Sequence, residues 1–74
     1  MTELELEVQD GDITVWLPCT SFAVTYYRPK KSRHLLAKRI LGDDDPSVAM
    51  SHAEFLAAAW RLANHKAREL GWIV

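Results

Sequence analysis

The densest group of side chains able to do chemistry lies in residues 25–39, TYYRPKKSRHLLAKR, which hold six of the nine lysines and arginines of this 74-residue chain. Such side chains contact phosphates when they share one surface, and neighbouring aromatic rings stack on unpaired bases. Tyr26 and Tyr27 directly precede the cluster, so the segment fits a nucleic-acid-binding surface. The alternative is a solvated loop whose charges prevent edge-to-edge aggregation. The basic residues are Arg28, Lys30, Lys31, Arg33, Lys38 and Arg39.

The overall charge favours the solvated loop. The net charge is −1 and the isoelectric point is about 6.3, whereas nucleic-acid-binding domains often have isoelectric points above about 9. The charge is segregated, however, because five acids lie in residues 3–12 and none lies between Ile13 and Gly42. A local field can therefore attract anions where the net charge does not.

A second basic stripe is formed by Arg61, His65 and Arg68, spaced i, i+4 and i+7. On a helix this stripe can bind an anion or an acidic partner helix, although such stripes are usually the solvated side of an amphipathic helix. A functional role of the stripe gains support if it lies on the same side of the molecule as the basic loop.

Catalysis has little support. A nucleophilic cysteine needs a nearby base, but Cys19 has no flanking enzyme motif, and His34, His52 and His65 lie in three separate segments. The closely spaced ligand pairs of zinc sites are missing, the GDDDP segment lacks the alternating ligands of a calcium loop, and no glycine-rich phosphate motif occurs. We expect a non-enzymatic protein with no cofactor and no metal.

A protein interface is the main functional expectation. Trp16, Trp60 and Trp72 are many tryptophans for so short a chain, and tryptophan is enriched at binding hot spots. An open sheet edge can also pair with a copy of itself or with a partner strand. The sequence therefore favours an interaction module with an unknown partner, or a homodimer, over a nucleic-acid-binding domain. The other interpretation of the three rings is that they fill the core and its rim.

Composition limits the architecture and the location. A chain of this length makes one domain over residues 1–74, and 49% apolar residues suffice for a core. A single cysteine excludes an internal disulfide, which favours a reducing cytoplasm. The acidic start MTELELEVQD is unlike a signal peptide, and no apolar run reaches the roughly 20 residues of a membrane span. We expect a cytoplasmic protein without a membrane partner.

Two hairpins are expected before the last third of the chain. Strict alternation on both sides of Asp10-Gly11 predicts a two-residue hairpin that pairs Val8 with Ile13 and Leu6 with Val15. Residues 22–28 read as a third strand ended by Pro29.

Residues 33–41 are ambiguous. As a helix they have Ser32 as N-cap and Gly42 as C′ residue. As a strand they follow a five-residue loop and pair Phe22 with Ile40 and Tyr26 with Leu36. Their short length favours the strand slightly.

The last segment predicts a long helix. Ser51 and Glu54 form an S-x-x-E capping box, Gly71 is a natural C′ residue, and Trp72 can complete a Schellman cap. The expected fold class is α+β, an antiparallel sheet of three or four strands packed against one long C-terminal helix. The expected apolar face of that helix is Phe55, Leu56, Ala59, Leu62, Ala63, Ala67 and Leu70.

The segments PCTSFAVTYYRP and AEFLAAAWRLANHKARELGWIV resemble a group of small proteobacterial proteins whose alanine-rich last helix closes on ARELGWIV. The resemblance covers about half of the chain and implies a small bacterial domain. No activity is known for the group, so it implies no catalytic or binding residue. It also implies glycine in place of Cys19, which counts against a cysteine-based mechanism.

Overall fold

The computed structural model describes residues 3–73. Four strands form one antiparallel sheet in chain order, and a single long helix follows them within the described range. This arrangement confirms the predicted α+β fold. The elements are β1 (Glu5–Gln9), β2 (Asp12–Trp16), β3 (Ala23–Tyr27), β4 (Leu36–Leu41) and α1 (His52–Glu69).

The first hairpin has the predicted register. Asp10 and Gly11 have φ angles of +50° and +81°, as a two-residue type I′ turn requires. Val8 therefore lies opposite Ile13, and Leu6 opposite Val15. Because side chains alternate between faces along a strand, this register directs all four toward the face that the helix covers.

The second hairpin confirms the strand but not its register. Residues 36–41 form β4, but Tyr26 pairs with Ala37 and Val24 with Ile40, so the predicted partners Leu36 for Tyr26 and Ile40 for Phe22 are wrong. The connection takes residues 28–35, more than the five expected. The pairing also shifts between Thr25 and Tyr26, which leaves Lys38 as the extra residue of a β-bulge.

The helix covers the middle of the sheet and leaves its edges open. Its packing contacts are chiefly with β2 and β3. A helix with its side chains is about 10 Å wide and strands lie about 4.8 Å apart, so one helix can cover about two strands. The buried core is made of Ile13, Val15, Leu17, Phe22, Val24, Tyr26, Leu35, Phe55, Ala59, Ala63, Ala67 and Ile73.

Both helix ends have the predicted caps. Ser51 and Glu54 form the reciprocal capping box. At the other end the Gly71 amide donates to the Arg68 carbonyl, and the Trp72 amide to that of Ala67, which together make a Schellman motif. Leu70 is the C-cap residue and is exposed, so its placement on the apolar face was wrong. No helix within residues 3–73 combines the length and apolar character needed to cross a bilayer.

Candidate binding surfaces

The basic cluster is divided between two sites. Arg28, Lys30, Lys31 and Arg33 lie in the connection between β3 and β4, which we call the basic loop (residues 28–35), and all four are exposed. The other two, Lys38 and Arg39, lie on β4 and line a depression with residues of β2 and β3. They face the side of the sheet that has no helix.

The depression on this open sheet face has a volume of about 440 Å³ and is lined by Asp12, Thr14, Thr25, Lys38 and Arg39. Its polar groups are largely paired with one another. The Lys38 ammonium lies 3.0 Å from the Asp12 carboxylate, and the hydroxyls of Thr14 and Thr25 lie 3.1 Å apart. Since an incoming ligand would have to replace these contacts, the depression is a weak candidate for a binding site.

The two tyrosines have different environments. Tyr26 is only 3% exposed, and burial raises the pKa of its hydroxyl above the ordinary value of 10.0. Its ring packs against Trp60 at a centroid distance of 5.5 Å, so it cannot stack on a base. Tyr27 is partly exposed on the open sheet face, away from the core.

Ser32 orders the basic loop instead of capping a helix. Its hydroxyl accepts a hydrogen bond from the His34 amide at 3.1 Å and donates to the His34 carbonyl. Its amide donates to the Pro29 carbonyl at 2.9 Å, and its carbonyl accepts from the Arg28 guanidinium at 3.2 Å. Lys31 has a φ angle of +65° within this turn. These bonds order the backbone of the loop from Arg28 to His34.

The basic loop and the helix stripe meet in one groove. The groove has a volume of about 350 Å³ and is lined by His34, Trp60, Arg61, Asn64 and Arg68. We call it the basic groove. The third member of the predicted stripe, His65, lies outside this lining and pairs with Glu69 at 3.3 Å. The sequence could not show that the loop approaches this part of the helix, and neither His34, within the basic cluster, nor Asn64, on the same helix face as Arg61 and Arg68, was among the predicted binding residues.

The edge of the sheet formed by β4 is an apolar surface that the sequence did not predict. All six residues of β4 are exposed, and Leu36, Ile40 and Leu41 have 51%, 51% and 49% of their surface accessible. Leu36 and Leu41 face the open side of the sheet, since they pair with Tyr27 and Ala23. The only available signal was that a single helix is too narrow to cover four strands.

The three tryptophans have separate locations. Trp60 is 43% exposed in the basic groove. Trp16 is half-buried on the open sheet face, opposite Glu5. Trp72 is half-buried in the helix cap, beside Gly11 and Arg28. They therefore do not form one patch.

Among the groups considered for catalysis and metal binding, His52, Asp44 and Asp45 have structural contacts. The His52 ring packs edge-on against Phe22, and Asp44 accepts a hydrogen bond from the His52 amide at 2.7 Å. Asp45 accepts from the amide and hydroxyl of Ser47, and these bonds lower its pKa. Cys19 is exposed with φ +65°. Residues 3–73 contain no group of three or more histidine, cysteine or acidic side chains that could hold a metal ion.

Comparison of the chain with models of protein families, with curated proteins and with solved structures finds no match.

Proposed function

We propose that this chain is a non-enzymatic, cytoplasmic protein-interaction module that binds an extended segment of a partner protein along the edge of β4. The observation that carries the proposal is the exposure of Leu36, Ile40 and Leu41 on β4, an edge strand that has no further strand beside it among residues 3–73. An added strand supplies main-chain hydrogen bonds, and its side chains cover the apolar groups on both faces.

The charge of β4 indicates the chemistry of the partner. Lys38 and Arg39 lie in the middle of the strand between the exposed apolar residues. In residues 3–73 Arg39 forms no ion pair, so it is free to contact a carboxylate. A partner segment with acidic residues at its centre and apolar residues around them complements this pattern.

The same charges argue against pairing of two β4 strands as a symmetric dimer. An antiparallel β4–β4 contact places Lys38 or Arg39 of one copy opposite those of the other, and like charges directly opposite destabilise a sheet. The β-bulge at Lys38 also hinders simple edge pairing. At the opposite edge of the sheet, Glu5 and Glu7 are exposed and repel an acidic segment. An acidic partner therefore selects β4.

Nuclear magnetic resonance provides the test. The probes are two synthetic peptides with valines at both ends and two central charged residues, glutamates in one peptide and lysines in the other. We expect the glutamate peptide to shift the backbone amide signals of residues 36–41 and the lysine peptide to leave them unchanged. Arg39→Glu should reverse this preference, while the matched change Arg61→Glu on the helix should not. If neither peptide shifts these signals, β4 is not a docking edge. Shifts that grow with protein concentration alone would assign the edge to a second copy.

A further inference from the structure

The basic groove carries an uncompensated positive charge. Arg61 and Arg68 line it with His34, and no carboxylate is among its lining residues. Neither arginine forms an ion pair within the described part of the chain. Arg68 lies in the last turn of α1, where a cation stabilises the helix dipole, but Arg61 lies in the middle of the helix and has no such role. The groove is therefore suited to an anion.

The spacing of the arginines fits a chain of phosphates better than a single anion. Seven residues separate Arg61 from Arg68, which is about 10 Å along a helix. One nucleic-acid strand carries a phosphate every 3.4 Å or so in duplex geometry, so the two guanidiniums can reach different phosphates of one strand. Lys30, Lys31 and Arg33 are exposed in the loop that contributes His34 to the groove.

Trp60 indicates that the ligand carries flat rings. Its side chain is 43% exposed, while an edge contact with Tyr26, at an interplanar angle of 60°, holds the ring in place. Asn64 donates a 2.7 Å hydrogen bond to the Trp60 carbonyl. An acidic peptide would use the arginines but not the ring. A single-stranded nucleic acid would use both, because its phosphates contact the arginines and an unpaired base stacks on the ring. The bases of a duplex are covered by stacking.

We infer that the basic groove is a binding site for single-stranded nucleic acid, in which Arg61 and Arg68 contact phosphates and Trp60 stacks on a base. This site is separate from β4, and it uses a tryptophan where the sequence alone suggested Tyr26 or Tyr27. The hydrogen bonds between the Ser32 hydroxyl and the backbone of His34 hold this residue in the wall of the groove.

Fluorescence polarisation of a labelled oligothymidylate of about ten nucleotides tests the inference. We expect micromolar binding at about 50 mM salt. Because each contact with a single strand contributes a slope of about −0.7, two or three contacts weaken binding about tenfold at 200 mM. The absence of binding at 50 mM, or tighter binding of duplex than of single-stranded DNA, would overturn the proposal.

Matched variants locate the site. We expect Arg61→Glu to weaken binding at least tenfold and to make its salt dependence shallower, while Arg39→Glu, an equal charge change on β4, changes the Kd less than twofold. Trp60→Leu should weaken binding about tenfold, and Trp60→Phe should restore part of the loss, which a purely structural role of Trp60 would not require.

Two further outcomes would contradict the assignment. Equal weakening by Arg61→Glu and Arg39→Glu would mean that the attraction is diffuse and not located in the groove. Displacement of the oligonucleotide by an equal charge concentration of polyglutamate would assign the groove to acidic proteins. Circular dichroism of each variant checks that its helix is retained. The oligonucleotide should shift amide signals of residues 60–68, so failure here is distinguishable from failure of the β4 proposal.

Discussion

Replacing Gly42 by alanine tests the packing at the end of β4. Gly42 has a φ angle of +109°, which is costly for a residue with a Cβ atom. A Cβ atom added there would lie 2.7 Å from Cδ1 of Phe22, 3.1 Å from its Cα and 3.2 Å from the Ser21 carbonyl oxygen. Two of these three contacts involve backbone, so rotation of a side chain cannot relieve them.

The expected loss of stability follows from two costs. Positive φ costs a residue with a side chain about 1–2 kcal/mol, and overpacking a well-filled site costs about 1–3 kcal/mol. The Phe22 ring cannot move aside easily, because it packs against Phe55 at 5.4 Å and His52 at 5.1 Å. The less flexible unfolded chain returns up to about 1 kcal/mol. We expect Gly42→Ala to lower the free energy of unfolding by about 3 kcal/mol.

Gly71→Ala is the matched control. Gly71 also has a positive φ angle, +77°, but a Cβ atom there would meet nothing within 4 Å. This variant therefore carries only the backbone cost, and we expect a loss of about 1 kcal/mol. The difference between the two variants isolates the clash with Phe22.

Urea unfolding, followed by tryptophan fluorescence and by circular dichroism, measures both losses. With a slope near 1 kcal/mol per molar urea for a small domain, the midpoint should fall by about 3 M for Gly42→Ala and about 1 M for Gly71→Ala. Coincidence of the two signals checks two-state behaviour. Equal midpoints for the two variants would refute the reasoning, because they would mean that Gly42 does not approach Phe22 closely.

Three further predictions concern stability. Ser51→Ala should cost about 1 kcal/mol in urea unfolding because it removes the N-cap hydrogen bond, while Ser51→Gly should cost only a few tenths; equal losses would contradict the cap. Burial raises the Tyr26 pKa above its unfolded value near 10, so the free energy of unfolding should be constant at neutral pH and fall as the pH rises past 10. Tyr26→Phe should remove the part of this alkaline loss of stability that comes from Tyr26. An unchanged alkaline profile in this variant would contradict the assignment of the loss to Tyr26. Cys19 has a φ angle of +65°, so Cys19→Gly should retain or raise the thermal midpoint, while Cys19→Val should lower it because a β-branched side chain fits this conformation least well; the reverse order would show that Cys19 is unstrained.

Most local features of the fold could be predicted from the sequence. The Asp10-Gly11 turn sets the first register because a two-residue type I′ turn allows only one pairing of its flanking strands. Ser51, Glu54 and Gly71 mark the helix ends because their side chains, or the lack of one, act on backbone groups a few residues away. The alternation in residues 22–27 likewise predicts which side chains are buried.

The register of β4 could not be predicted in this way. It depends on the length of the basic loop and on the bulge at Lys38, and the loop ends by placing Leu35 in the core directly before β4. No turn motif comparable to Asp10-Gly11 marks this hairpin. Without such a motif, several registers place apolar residues opposite one another, and the sequence does not choose between them.

The candidate sites show most clearly which features the sequence predicts and which only the tertiary structure decides. Composition and spacing alone identified the basic residues, the helix stripe and the tryptophans. The tertiary structure decided that Tyr26 is buried, that Trp60 is exposed, and that His34 reaches the groove lined by Arg61 and Arg68. It also decided that β4 is uncovered, because one helix about 10 Å wide lies on β2 and β3 and leaves both edges of the sheet open. Which side chains from distant parts of the chain meet depends on how the elements pack, whereas periodicity and turn chemistry act only over a few residues.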